Sequence, residues 1–376
     1  MNIGVIKERF PQERRVSLTP GGVLSLVNLG ATVYVERNAG SQSFFSDQEY
    51  QEAGAVIVYS PEELILRSDV VLKVAPPSMD EVALLHEDQT LFSALHLAIS
   101  KRTIVEKFLE KRITAIAHEL IENARGDLPV VQTMSEIAGQ LSIQVAAHFL
   151  QSRQGGRGVL LGSIPGIPAA DVVILGAGTV GRTAARVALV IGAKVTVIDR
   201  NLSRLRELEN LFQWRISTAL ADPYNIEQAV TEADVVIGAV LMKGEKTPHL
   251  VTEAMVKQMN PGSVIVDVSI DHGGCIETSR PTTLLDPAFI VHHVVHYCVP
   301  NMPASVPRTA TVGWTNVLLP FLREAFELGM DEVLRMDVGL AKGVCTYHGY
   351  CTNKAAAKVF DLKQTEIGTL LNASKK

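Results

Sequence analysis

DVVILGAGTVGRTAARVALVIGAKVTVIDR, residues 171–200, decides the fold. An apolar, β-branched run (DVVIL) enters a glycine turn, an amphipathic helix follows, and a second β-branched run (AKVTVID) ends on Asp199. Gly176, Gly178 and Gly181 in that turn form G-x-G-x-x-G. The first glycine permits a tight turn, the second lets the backbone approach a pyrophosphate, and the third allows close packing of helix on strand. The helix N-terminus then offers free N–H groups and a positive dipole to phosphates. A lone G-x-G-x-x-G is a weak signal, but strand, helix and terminal acid together make a dinucleotide fingerprint. Asp199 stands 18 residues after Gly181, where a carboxylate accepts ribose hydroxyls and repels a 2′-phosphate. NAD is therefore expected over NADP, with the neighbouring Arg200 leaving NADP open.

Working outward toward the C-terminus, ADVVIGAV, GSVIVDVS and FIVHHVVH read as further strands of the same sheet, with helical stretches between most of them. In the other direction QGGRGVLLGSIPGIP (154–168) reads as a loop and TMSEIAGQLSIQVAAHFLQSR as one long connecting helix. Before that helix, NIGVI, ATVYVE, AVIVYS, DVVLKV, TLFSAL and TAIAHE alternate with amphipathic segments over residues 1–120. Parallel strands need crossovers long enough to hold a helix, so this rhythm predicts a second, mostly parallel sheet covered on both faces. From about residue 307 the pattern turns helical, clearest in ATVGWTNVLLPFLREAFELG, with no further strand evident. A tail without a core of its own is expected to fold back on the first unit. The predicted architecture is α/β, with two doubly wound Rossmann-like domains. An NAD domain at 130–306 is inserted into a discontinuous substrate domain at 1–129 and 307–376, and 376 residues agree with two domains of ~150 or more.

Composition narrows the partners. The chain is 47% hydrophobic and 20% charged, and charge or glycine breaks every apolar run short of the ~20 residues a membrane helix needs, so no membrane partner is expected. Lysine plus arginine (35) against aspartate plus glutamate (40) gives a net charge of -5. With no basic cluster interleaved with aromatics, nucleic acid is not expected either. The start MNIGVIKERF lacks a long apolar segment, and Cys275, Cys298, Cys345 and Cys351 contain no C-x-x-C pair. Both features predict a cytoplasmic protein with free thiols. HHVVHYC (292–298) with Cys345, His348 and Cys351 matches no zinc spacing, although His292 and His296 would share one face of a strand, so no metal is expected.

A nicotinamide enzyme acting on a small acid needs a cation for the carboxylate, an acid/base group near the reacting carbon and a group to orient water or ammonia. Four places supply candidates. Arg15, in RRVSLTP after the first strand, can grip a carboxylate bidentately, whereas a solvated surface role suits Arg14 better. Lys73 ends the apolar run DVVLKV, at the carboxyl end of a strand where ligand crevices of open α/β sheets form. His96 closes TLFSALHLA; a histidine on an apolar segment is more often a satisfied core residue, but the strand-end position favours chemistry. Asp271, in VIVDVSIDHGGC, precedes Gly273 and Gly274 in an unusual turn, where the bland reading is a turn-forming aspartate and the functional one a holder of water or ammonium.

These residues, with MSEIAGQLS, PGIPAADVVILGAGTVG, IGAVL, DHGGC, ETSRPTT, HYCVPNMPASVPRTAT and LAKG, resemble the alanine dehydrogenase and pyridine nucleotide transhydrogenase family over nearly the whole chain, its alanine dehydrogenase branch most closely. The resemblance implies Arg15 and Lys73 on the substrate carboxylate and carbonyl oxygen, His96 as acid/base and Asp271 orienting water or ammonia. It also implies Ser135 near the pyrophosphate, Asp199 on the adenosine ribose, Val240 and Leu241 along the cofactor, and Asn301 and Met302 near nicotinamide and substrate. The implied activity is NAD-dependent, reversible oxidative deamination of L-alanine to pyruvate and ammonium, by a homo-oligomer that is commonly a hexamer. Hydride leaves C2 of the amino acid, water adds to the iminium, and the carbinolamine collapses while His96 shuttles protons, so deamination should improve as pH rises. Three departures fall near the substrate. Ala94 stands where the family usually has tyrosine or phenylalanine, Ala75 and Pro76 replace the lysine and glutamate of KVKEP, and His272 replaces a glutamine. They predict better acceptance of larger amino acids. Two alternatives remain open, the NAD-binding subunit of a proton-translocating transhydrogenase and a catalytically silent nucleotide-binding protein; the first typically lacks the equivalents of His96 and Asp271.

Overall fold

A computed structural model describes residues 1–241 and 247–373. Fifteen strands occur among them: β1 (Asn2–Val5), β2 (Thr32–Glu36), β3 (Val56–Val58), β4 (Val70–Leu72), β5 (Thr90–Ser93), β6 (Thr114–Ala117), β7 (Asp171–Leu175), β8 (Lys194–Asp199), β9 (Ser217–Leu220), β10 (Val235–Gly238), β11 (Val264–Asp267), β12 (Ala288–Val291), β13 (Val294–Tyr297), β14 (Val344–Tyr347) and β15 (Tyr350–Cys351). The chain forms two compact units, unit 1 from Met1–Met134 with Val306–Lys376 and unit 2 from Ser135–Ser305.

Unit 1 holds an eight-stranded sheet in the order β15-β14-β6-β5-β4-β1-β2-β3. Its first six strands are parallel, and β14 pairs antiparallel with β6. Unit 2 holds seven strands in the order β12-β13-β11-β10-β7-β8-β9, all parallel except β12. Both are doubly wound α/β sheets, as the strand rhythm predicts. The reason is visible in burial: β4, β5, β6, β10 and β11 are buried at every residue, as strands covered by helices on both faces must be. In each sheet the order reverses at the first strand, β1 lying between β2 and β4, and β7 between β8 and β10. Loops leaving the carboxyl ends diverge at such a switch point and open a crevice for ligand.

Three details differ from the sequence reading. FIVHHVVH is two strands, β12 and β13, joined at His292 and His293 with φ of 50° and 62°. Positive φ at both central residues is what a tight two-residue hairpin turn requires. His292 therefore shares no strand face with His296: it pairs with Glu253 at 2.7 Å, while the buried His296 meets Thr278 Oγ1 at 2.8 Å. The tail is not purely helical, since β14 and β15 extend the sheet beyond β6. Its helix Pro307–Leu328 buries Trp314, Leu318 and Leu322 in one core with Val16, Leu18 and Leu26. No helix among the described residues is long and apolar enough to cross a membrane.

Candidate active site

In unit 2 the crevice is built on the glycine turn after β7. Gly176 has φ of 108°, and a Cβ there would lie 2.4 Å from the Ala239 carbonyl oxygen; at Gly181 it would lie 1.8 Å from the Gly176 oxygen. Those two glycines are required by the protein's own packing. Gly178 differs, because among the described residues a Cβ there would meet nothing within 4 Å. The chain has left open space above a backbone that starts the helix Thr179–Ile191, and no side chain caps that start. An uncapped helix N-terminus facing open space fits a pyrophosphate. Asp199 ends β8 and accepts the Ala177 N–H on Oδ2 and the Asn201 N–H on Oδ1, each at 2.7 Å. Each oxygen keeps a lone pair for a ribose hydroxyl. Gly139, in the helix Pro129–Phe149, comes so close to the first turn of Thr179–Ile191 that a Cβ would sit 2.5 Å from the Val180 oxygen. Ser135 stands four residues before Gly139 on the same helix, and so on the same face. The donor set and the space fit a dinucleotide.

Beside the cradle, the Val240 N–H donates to Ser269 Oγ at 2.8 Å, and Leu241 presents an exposed side chain. Ser269 belongs to the 3-10 turn Val268–His272 that follows β11 and carries Asp271. The turn is anchored by Asp267, which accepts the N–H groups of Ser269 and Cys275, each at 3.1 Å, and of Ile276 at 3.4 Å. Burial nonetheless pushes the Asp267 carboxyl above the usual range. Gly273 and Gly274, with φ of 99° and 79°, let the chain reverse around this carboxylate. Asp271 stands exposed on the outside of the turn and accepts the Asn301 N–H at 2.8 Å. Asn301 has φ of 53°, and the buried Met302 follows it. The structure thus groups Val240, Asp271, Asn301 and Met302 around one turn.

Unit 1 gathers Arg15, Lys73 and His96. Arg15 is buried, not a surface arginine, and Arg14 is exposed. Its guanidinium bonds Glu13 through Nε at 2.7 Å and Nη2 at 2.6 Å, approaches the Met134 sulfur through Nη1 at 3.3 Å, and lies over the Trp314 ring. Lys73 leaves the end of β4 with its ammonium 2.8 Å from Glu8 and 3.1 Å from Glu81. Burial alone would lower its pKa, but the two carboxylates outweigh burial and raise it, so Lys73 stays a cation. Glu8 in turn lies close enough to Glu13 for their charges to interact, which links the Lys73 and Arg15 clusters.

His96 does not close a strand. β5 ends at Ser93, and His96 caps the 3-10 turn Leu97–Ile99 with φ of 44°. A left-handed histidine is costly unless its surroundings hold it. Glu119 does so by accepting the His96 N–H at 2.8 Å with an oxygen 3.4 Å from Nδ1. The side chain is 51% exposed, which decides against a satisfied core histidine. The sequence reading omitted the carboxylates that fix these groups: Glu8, Glu13, Glu81, Glu119 and Asp267. A signal existed for Glu8 and Glu119, each a few residues past the carboxyl end of a strand, but a lone glutamate there looks like any solubilising residue. Of the departures, Ala94 is half-buried with its N–H on the Val74 carbonyl at 3.0 Å, Ala75 is buried, and Pro76 and His272 are exposed.

Two family models match the chain, and the second runs past Ser305 into the returning segment of unit 1. Residues 4–138 match the family model described as alanine dehydrogenase/PNT, N-terminal domain, and residues 142–354 match its C-terminal domain. The chain is 45% identical over 368 residues to an alanine dehydrogenase of Staphylococcus epidermidis, covering 98% of this chain and 99% of that protein. A solved L-alanine dehydrogenase superposes with a TM-score of 0.91 at 45% identity, covering 96% of this chain and 99% of that one. A transhydrogenase from Sinorhizobium meliloti superposes with a TM-score of 0.80 at 25% identity, covering 94% and 100% respectively.

Proposed function

The chain belongs to the alanine dehydrogenase/PNT family, and from that premise we propose that it reversibly deaminates L-alanine to pyruvate and ammonium with NAD. Unit 2 serves as the dinucleotide domain and unit 1 as the amino-acid domain. The observation that carries the reading is His96, half-exposed on a left-handed turn that Glu119 braces, in the same unit as two buried cations.

A bound nicotinamide dinucleotide supplies the two-electron acceptor. Arg15 holds the substrate carboxylate with the guanidinium N–H groups that Glu13 does not occupy. Lys73, kept cationic by Glu8 and Glu81, stabilises negative charge developing on the carbonyl oxygen. His96 takes a proton from the attacking water and returns one to the departing nitrogen. Asp271, whose carboxylate is fixed by the Asn301 N–H, orients the water or ammonia. Deamination of the zwitterion yields ammonium, reduced cofactor and one free proton, so its yield rises with pH.

NAD in place of NADP is supported by Asp199, since a carboxylate that ends β8 after the glycine turn accepts ribose hydroxyls and repels a 2′-phosphate. Four buried free cysteines support a reducing, cytoplasmic setting. Hexameric assembly rests on the family resemblance and is read by light scattering on the purified protein.

The test is NADH oxidation with ammonium and pyruvate, beside a His96→Ala variant. Turnover should fall by about 10²- to 10⁴-fold in the variant, with NADH affinity unchanged. Undiminished turnover in His96→Ala would remove the assignment. NADH binding without turnover of any 2-oxo acid by the wild type would replace the enzyme with a silent binding protein.

A further inference from the structure

His118 has no part in the roles above, and its setting is anomalous. It is the first residue past β6 and is 1% exposed. Its ring stacks on Phe92 with centroids 6.1 Å apart and meets Trp314 edge-on at 4.9 Å. Neither ring nitrogen of His118 has a hydrogen-bond partner among the described residues, and neither does Trp314 Nε1. Buried polar atoms in folded proteins nearly always have partners, so three orphans in adjoining rings call for a missing one.

Arg15 shows where that partner belongs. Its guanidinium lies 5.1 Å from the centroid of the same Trp314 ring, and its charge reaches His118. Burial and that charge push the His118 pKa down to about 3, so its ring is neutral, with one donor and one acceptor nitrogen. A second carboxylate would find no cation here, since His118 is uncharged and Glu13 already opposes Arg15. A methyl group would leave all three orphans unsatisfied. A hydroxyl satisfies two of the three, accepting from the indole N–H and donating to the acceptor nitrogen of the imidazole.

We propose that His118 and Trp314 form a polar side-chain subsite beside Arg15 that selects 2-amino and 2-oxo acids bearing a small neutral hydroxyl over their methyl isosteres. The inference rests on Arg15 as the carboxylate grip of the proposed function.

Hydroxypyruvate and 2-oxobutyrate differ only by hydroxyl for methyl, so the ratio of their kcat/KM values isolates the subsite. Hydroxypyruvate should be favoured by about 10- to 100-fold. His118→Phe should bring the ratio near one, and His118→Gln, which keeps a donor and an acceptor, should restore part of it. Binding provides a readout independent of turnover. Of the two tryptophans, Trp214 is exposed, so in a Trp214→Phe background the remaining fluorescence reports Trp314 as L-serine or L-2-aminobutyrate is added with NAD. Serine should bind more tightly, and His118→Phe should erase the difference. A wild-type preference for 2-oxobutyrate, or a preference for hydroxypyruvate unchanged in His118→Phe, would overturn the subsite and leave an internal water as the partner, while pyruvate turnover still upheld the dehydrogenase. Serine selectivity that depends on His118, with no oxo acid turned over, would support the subsite and sink the dehydrogenase reading instead.

Discussion

Lys73 carries the sharpest consequence at the scale of a residue. It is a buried ammonium between two buried carboxylates, Glu8 and Glu81, so its removal strands like charges away from water. Breaking such a cluster costs about 3–5 kcal/mol, and Lys73→Met should lower the melting temperature accordingly. The pH dependence has a definite sign. The folded pKa of Lys73 is raised, so the stability it contributes is fully present below the unfolded lysine value and is lost only as pH rises through the folded one. In Lys73→Met the deficit comes from the stranded buried carboxylates, and it should shrink as pH falls and Glu8, whose carboxyl burial pushes above its usual range, takes up a proton. Melting curves of both proteins at pH values from neutral to mildly acidic check this; a deficit constant with pH would mean that packing, not charge, was lost. Ala94 offers a second test. Ala94 is half-buried three residues before the turn Leu97–Ile99, at a position where the family resemblance implies an aromatic ring. Ala94→Tyr should depress kcat/KM for 2-oxovalerate by about tenfold or more relative to pyruvate, and equal losses on both acids would count against a pocket at this position.

At the scale of an element, the glycine turn separates two functions that share one motif. A methyl at Gly181 would sit 1.8 Å from a backbone oxygen, so Gly181→Ala must shift the helix and should cost both stability and NADH affinity. At Gly178 the added methyl meets no atom of the described residues within 4 Å. Gly178→Ala should therefore leave the melting temperature within about 2 °C, yet weaken NADH roughly tenfold or more, because the obstacle is to the ligand and not to the fold. Equal thermal losses in the two variants would show that Gly178 serves packing alone. The same motif explains what was legible in the sequence. Strands buried on both faces read as continuous apolar runs, and β4, β7, β10 and β11 stand out for that reason. Ser217–Leu220 is partly exposed along its length and gives no such run, while FIVHHVVH hides a hairpin because its turn carries none of the Gly, Asn or Asp residues that usually mark one. Arg15, Lys73, His96 and Asp271 were legible as chemistry-bearing types at or after the carboxyl ends of apolar runs. Their carboxylate partners were not, since Glu8 and Glu119 meet Lys73 and His96 across 65 and 23 residues only when the sheet forms, and Glu81, eight residues past Lys73, lies on the helix that follows.

For the whole molecule the governing fact is that unit 2 is one continuous stretch and unit 1 is not. The C-terminal segment is structural to the amino-acid domain in two ways. Thr311 and Thr315, one turn apart on the helix Pro307–Leu328, accept the N–H groups of Val16 and Thr19 at 3.1 Å and 3.0 Å, and so fix the loop that presents Arg15. Farther on, β14 covers the edge of β6, and Leu340, Val344, Tyr347 and Leu371 complete the core that Val5 and Leu72 begin. A chain ended after Asp337 keeps the helix but loses that cover, exposing an apolar edge strand, which is an aggregation hazard. Unit 2 loses nothing, because its seven strands lie within Ser135–Ser305. The truncated protein should therefore have no oxo-acid-dependent NADH oxidation and little amide protection in residues 1–134, while NADH still binds and protection persists across 135–305. Hydrogen exchange with an NADH titration on the same sample reads both. If protection and NADH binding vanished in both stretches together, the two units would fold as a single cooperative whole, and the insertion of one domain into the other would be a matter of chain path alone.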